Sequence, residues 1–238
     1  MDITLPKLKT ALEATVQRNN ITANNLANLD NAGYKRDVAF FELIQAEDGQ
    51  PDMRLRTYTS FGQGTLTETG NALDLAISGA GFFTVETEQG EALTRDGHFQ
   101  LDTDGVLRTS GGQAVLGEAG PIVLTTDGRT PGVVRITRSG EVFVDDELRD
   151  RLRISAVPDP QALRKGGDNL LLAADDVPLG TVEAPDVQQG FLEESNVSAV
   201  DEMMTLIEIQ RQFESTQKMV RTLDEVFQQA ATQVGRYS

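Results

Sequence analysis

From Leu206 to Val234 the chain carries Leu206, Ile209, Phe213, Thr216, Val220, Leu223, Phe227, Ala230 and Val234, alternately three and four residues apart without a slip. That spacing is the a/d seam of an α-helix, so this segment is expected as one long helix with a face to bury. Ser198-Ala199-Val200-Asp201 stands at its head with capping-box spacing, Asp replacing the usual Glu or Gln. A second apolar row, Val200, Met203, Met204 and Ile207, widens the face near its start. A helix of roughly 35 to 40 residues reaches about 55 Å, too long for a compact β-domain to cover. Its expected partners are the N-terminal helix, neighbouring chains, or both.

The N-terminus is also helical in pattern. Leu5, Leu8, Leu12, Val16, Leu26 and Leu29 keep mostly helical spacing, Asn19 and Thr22 interrupt the seam, and Gly33 is a reasonable stop. Asn19, Asn20, Asn24, Asn25, Asn28 and Asn31 crowd this stretch, and Asn is a mediocre helix former. The amides read either as a frayed helix end or as a polar packing seam. Between the ends, Asp-Gly and Gly-Gly turn signals separate short β-like runs at 74–77, 82–86, 98–101, 133–136, 142–144 and 152–157. Such spacing predicts hairpins in an antiparallel domain. The expected fold class is α+β, with terminal helices forming a coiled-coil-like domain and a central, mostly antiparallel β-domain. The expected boundaries are an N-terminal helix at 1–36, an extended linker at 37–70, the β-domain at 71–185 and the long C-terminal helix at 186–238.

Composition narrows function. The 238 residues carry a formal charge of −16, with one His and no Cys. By segment the charge is +2 over 1–36, −14 over 37–190 and −4 over 191–238, which argues against a nucleic-acid partner. The lack of Cys removes thiolate chemistry and zinc fingers, and a single His leaves no multi-His metal site. Asp102-Thr103-Asp104-Gly105 resembles the start of a calcium loop, but Gln113 stands near where the closing Glu belongs, so a tight turn is expected. His98 is expected on the solvent face of a strand. Gly62-Gln63-Gly64 and Gly79-Ala80-Gly81 lack the Lys-Ser/Thr of a phosphate loop and are read as turns and close backbone approaches. No apolar run approaches the roughly 20 residues of a membrane span, and the first residues lack a cleavable signal pattern. No catalytic residue, cofactor or metal is expected.

Four blocks carry a family resemblance. Ala23-Asn24-Asn25-Leu26-Ala27-Asn28 followed by Ala32-Gly33-Tyr34-Lys35-Arg36 resembles the N-terminal signature of bacterial flagellar rod and hook proteins. Residues 73–83 (LDLAISGAGFF), 93–99 (LTRDGHF, with Leu93 for the usual Tyr) and 189–197 (QGFLEESNV) resemble three further blocks, in the family's order. The resemblance implies a non-enzymatic structural subunit that leaves the cell uncleaved through the flagellar type III export apparatus. It implies helical assembly, with copies of itself and neighbouring rod proteins, into the periplasm-spanning rod of the basal body. There the subunit would transmit torque and wall the export channel. The proximal-rod branch is the nearer match and the distal-rod branch the alternative; a secreted β-module binding ligand or calcium through hairpin loops is the reading from another class. The implied assembly interface comprises Leu5, Leu8, Leu12, Asn24, Asn25, Leu26 and Asn28 at one end, and Leu206, Ile209, Phe213, Val220, Leu223 and Phe227 at the other.

Overall fold

The long 3-4 run folds as one helix, α2 (Ala199–Val234), in a computed structural model that describes residues 5–45, 51–125, 132–174 and 177–234. Asp201 and Glu202 lie in its first turn, where carboxylates favour the positive end of the helix dipole. The N-terminal pattern folds as α1 (Leu5–Ala27). Two compact units emerge. The first comprises residues 1–27, 37–58 and 198–238, and the second residues 28–36 and 59–197.

In the first unit α1 and α2 run antiparallel. Arg18 donates to Gln212 at 3.3 Å and Asn25 donates to Glu202 at 3.4 Å, so positions fall along one helix as they rise along the other. A β-hairpin completes this unit, with β1 (Asp37–Gln45) beside β2 (Pro51–Thr59). The expected coiled-coil-like helical domain is therefore corrected. Terminal helices and a central β-domain do form, but the helices share their unit with a hairpin. Their buried seam is also largely polar, holding Thr15, Thr22, Asn25, Glu202 and Thr216 beside Leu8 and Ile209. A coiled coil needs apolar layers at these positions. Here the hydroxyls of Thr15 and Thr216 donate to the carbonyls of Ala11 and Gln212, and the Asn25 amide brackets the backbone of Asp37. These bonds make burial of the polar groups tolerable.

The second unit is predominantly β. Its strands are β3 (Leu66–Glu68), β4 (Leu75–Ile77), β5 (Phe82–Thr87), β6 (Gly90–Thr94), β7 (Phe99–Leu101), β8 (Leu107–Thr109) and β9 (Ala114–Val115). They continue with β10 (Val134–Ile136), β11 (Glu141–Val144), β12 (Glu147–Arg151), β13 (Ile154–Ala156), β14 (Arg164–Gly167) and β15 (Leu170–Leu172). The last three are β16 (Gly180–Thr181), β17 (Val187–Gln189) and β18 (Phe191–Glu193). The main sheet orders as β14-β15-β6-β5-β9-β8-β7, with β13 joining β5 to β16. A separate meander orders as β10-β11-β12, while β17 pairs β4 and β18 pairs β3. The described pairings are antiparallel. Strand β5 is buried on both faces because Phe83 and Val85 enter one cluster and Phe82 another. The hydroxyls of Thr84 and Ser155, 2.8 Å apart, satisfy each other between them. Phe83 and Phe99 meet edge-on at 5.1 Å in the larger cluster.

The tight turn expected at Asp102 joins β7 to β8. The Asp102 carboxylate accepts from the Asp104 and Val106 amides at 2.9 and 2.8 Å and from the Arg108 guanidinium at 2.5 Å. The hydrogen bond from Arg108, then that from Val106, hold this carboxyl below its ordinary value. Gly33 does not stop a helix, since α1 ends at Ala27. Its φ is +67°, and a Cβ there would lie 2.3 Å from the Arg95 carbonyl carbon. The residue is needed for close backbone approach.

Candidate functional site

The helix pair first shows what it leaves uncovered. Glu202, Ile209 and Thr216 recur every seventh residue along the inward face of α2, as Leu8, Thr15 and Thr22 do along α1. At about 100° per residue, Val200, Met203, Met204 and Ile207 fall on the opposite side of α2. Each of these four is more than half exposed. In the hairpin, Phe41, Leu43 and Met53 are exposed too. Clustered large apolar side chains on a surface mark an interaction site, whereas scattered ones need no explanation.

The second unit contains a buried ionic junction. The Glu193 side chain has no exposed surface, and the side chains of Lys35 and Arg95 have almost none. Lys35 Nζ donates to Glu193 Oε1 at 2.5 Å and to the Gly62 carbonyl at 2.9 Å. The Gly64 amide donates to Glu193 Oε1 at 2.9 Å, and Arg95 donates to Oε2 at 3.1 Å. Arg95 also donates to the carbonyls of Ile77 and Gly79, with its guanidinium 5.2 Å from the centre of the Phe82 ring. Burial pushes the Lys35 ammonium and the Arg95 guanidinium below their ordinary values, while Glu193 pulls both back up. Asn196 ties the same segments together. It accepts from the Arg36 amide and donates to the carbonyls of Ser60 and Gly62.

Beside the junction, Asp74 is buried and accepts from Thr69 and Asn71, with His98 Nδ1 at 2.9 Å. Asp96, next to Arg95, accepts from the His98 amide. Burial, with a smaller contribution from Asp74, raises its carboxyl above the ordinary value despite that hydrogen bond. A carboxyl raised by folding weakens the fold as pH climbs from its unfolded value through its native one. Asp96→Asn keeps the acceptor oxygen and removes the charge. It is expected to raise the melting temperature at pH 7, with the gain shrinking toward pH 3; thermal melts at both pH values check this.

Residues 188–233 match the family described as flagellar basal body rod FlgEFG protein C-terminal, and residues 76–144 match flagellar hook protein FlgE/F/G D1 domain. The flagellar basal-body rod protein FlgF of Caulobacter vibrioides is 35% identical over 225 residues, which cover 91% of each chain. The chain belongs to the flagellar basal-body rod family. FlgF of Mesorhizobium japonicum is 32% identical over 87% of this chain and 88% of its own. FlgG of Agrobacterium fabrum is 33% identical over 91% of this chain and 94% of its own. As a rod-family member the chain is a structural subunit of the basal body. Among the described residues, no helix is long and apolar enough to cross a membrane.

The rod-family interface expected from sequence divides in the structure. Leu8, Asn25 and Ile209 are buried, and Leu12, Leu26, Leu206, Phe213, Val220 and Leu223 are half-buried in the first unit. Asn24 is exposed, and Asn28 belongs to the second unit, where its side chain accepts from Asn31 at 2.7 Å. The side chains of Leu5 and Phe227 lie outside those described. His98 is exposed, as a solvent-facing strand position requires. Sequence reasoning missed Lys35, Arg95 and Glu193 as a cluster. Each lies inside a block that carried the resemblance, but a separation of 158 positions between Lys35 and Glu193 leaves no local signal that they meet.

Proposed function

We propose that this rod-family subunit assembles helically, with copies of itself and neighbouring rod proteins, through the surface its helix pair leaves uncovered. The observation that carries the reading is the exposed row Val200, Met203, Met204 and Ile207, opposite the buried seam of α2. Such a surface is costly to leave in water and is satisfied when another subunit covers it. A row on one side that meets a different surface on the next copy gives heterologous contacts, and these build open helical filaments. In such a filament the expected interface residues share the work. Leu8, Leu206, Ile209 and Phe213 hold the helix pair, and the outer row presents it to neighbours. The assembled tube would transmit torque and wall the export channel. The subunit reaches it uncleaved through the flagellar type III export apparatus, in a proximal position in the rod.

The double variant Met203→Asp and Met204→Asp tests the reading, because both side chains already face water in the single chain. Purified protein is expected to melt within about 1 °C of the parent, since exposed substitutions shift stability little. In a strain deleted for the native gene it is expected to restore no swimming. Normal swimming with intact basal bodies would overturn the proposal. Imaging basal bodies from the deletion strain tests position, with a rod missing its distal part expected.

A further inference from the structure

The geometry points to a releasable strap: residues 187–197 close over the second unit and are held shut by insertion of Glu193 between Lys35 and Arg95. Strands β17 and β18 belong to neither of the larger sheets. Val187 to Gln189 pair with Ile77 to Leu75, and Phe191 to Glu193 pair with Glu68 to Leu66. Between them the chain bends at Gly190, whose φ is +80° and whose carbonyl accepts from the amides of Thr69 and Gly70. The strap thus runs beside a continuous stretch of earlier chain, and among the described residues its other side meets single hydrogen bonds and not a paired strand. The Val187 amide donates to the Arg138 carbonyl and the Gly33 amide to the Glu193 carbonyl, while the Gln189 side chain accepts from the Ile136 amide and donates to the Val134 carbonyl.

What anchors it is unusual in kind. Only Val187, Glu193 and Val197 of the strap are buried, and Phe191 and Leu192 are half-buried. Segments with little apolar burial and many peripheral hydrogen bonds open at lower free energy than a core. Besides Val187, which sits in the main core cluster, the strap's deepest side chain is a carboxylate, so the junction carries much of its hold. Leaving the junction would also be reversible. Lys35 would keep the Gly62 carbonyl, and Arg95 would keep the carbonyls of Ile77 and Gly79 and the face of Phe82. Those contacts preserve a socket with two cations, ready for Glu193 to return. The geometry of entry is narrow, since a Cβ on Gly64 would lie 2.0 Å from the Glu194 carbonyl oxygen. Ser198 follows the strap and α2 begins one residue later, so release of the strap frees the chain that leads into the helix. The core clusters of Phe83, Phe99, Val142 and Ile154 need no strap residue besides Val187.

Native-state hydrogen exchange on the full chain tests the strap. In the unmodified protein, amides of β17 and β18 and those of Gly190, Glu194 and Asn196 are expected to exchange through one shared opening. That opening should depend weakly on denaturant and lie below the global unfolding that exposes β5 and β6. In Glu193→Gln the strap amides are expected to exchange about 100-fold faster or more, the size expected when one member of a buried pair is removed. The β5 and β6 amides should change far less. Strap amides that exchange only with β5 and β6 in the unmodified protein would overturn the proposal, as would equal acceleration of both sets in the variant. If Glu193→Gln does not fold, the unmodified protein decides by the first criterion. Lys35→Met then supplies the second, because it leaves Glu193 and Arg95 as a balanced pair and should accelerate strap exchange less than tenfold.

Discussion

Ile209→Asp is expected to dissolve the helix pair of the first unit while leaving the second unit folded. Ile209 is 2% exposed, midway along the inward face of α2 between Glu202 and Thr216. The substitution removes a buried aliphatic group and places a carboxylate in a site almost closed to water. Loss of the apolar contact and burial of charge together cost on the order of 4 kcal/mol. Among the described residues the fully buried part of the seam holds five polar residues beside Leu8 and Ile209, so it has little fully buried apolar surface in reserve. Circular dichroism should show loss of most helical signal with the β signal retained, and motility should fail. The same change at Phe213 or Leu223, both half-buried, should cost less because the carboxylate reaches water. Set beside Met203→Asp and Met204→Asp, the comparison separates two ways of losing assembly. One destroys the subunit, and the other leaves it intact with nothing to dock.

Gly97→Ala is expected to destabilise the second unit by about 3 kcal/mol, lowering its melting temperature by roughly 10 °C. A Cβ at this position would lie 1.6 Å from the Leu75 carbonyl oxygen and 3.3 Å from the Phe83 ring. The Leu75 amide donates to the Gly97 carbonyl at 3.0 Å, so the two backbones cannot separate without loosening β4. Leu75 and Ile77 of β4 have essentially no exposure and sit in the main core cluster. Gly62→Ala is the control. Its Cβ would find its nearest atoms at 3.9 Å, and the change should alter stability by no more than about 0.5 kcal/mol. Thermal unfolding of the two variants side by side checks both. Equal melting temperatures would show that the close approach at Gly97 carries no weight.

How far the fold was legible follows the range of the interaction concerned. The runs expected at 74–77, 82–86, 98–101, 133–136, 142–144 and 152–157 coincide with β4, β5, β7, β10, β11 and β13, give or take one or two residues. Each alternates or is bounded by a turn, and both signals lie within a few residues of the strand. The long helix was readable for the same reason. Residues 37–45 and 51–59, expected as part of an extended linker, instead pair as β1 and β2. The run Val38-Ala39-Phe40-Phe41 has no alternation to announce a strand, and both faces of the hairpin keep exposed apolar side chains. Phe40 packs instead against Tyr58 at 5.9 Å, a contact that exists only once the hairpin closes.

The candidate site divides along the same line. The outer row of α2 was visible as apolar residues at helical spacing and was expected to widen the buried face, but it lies exposed on the opposite side. Tertiary structure settled that by burying Glu202 and Thr216 with Ile209, against Leu8, Thr15, Thr22 and Asn25 on α1. The four signature blocks were legible one by one, and their convergence on the junction of Lys35, Arg95 and Glu193 was not. The sequence by itself determined the two terminal helices, the short strands between them and the family. The polar composition of the seam, the exposed row and the buried junction were decided only in three dimensions. Periodicity is written between neighbours a few residues apart. A carboxylate entering a low-dielectric site is tolerated only when cations and amides from distant segments arrive with it, and that condition belongs to the whole fold.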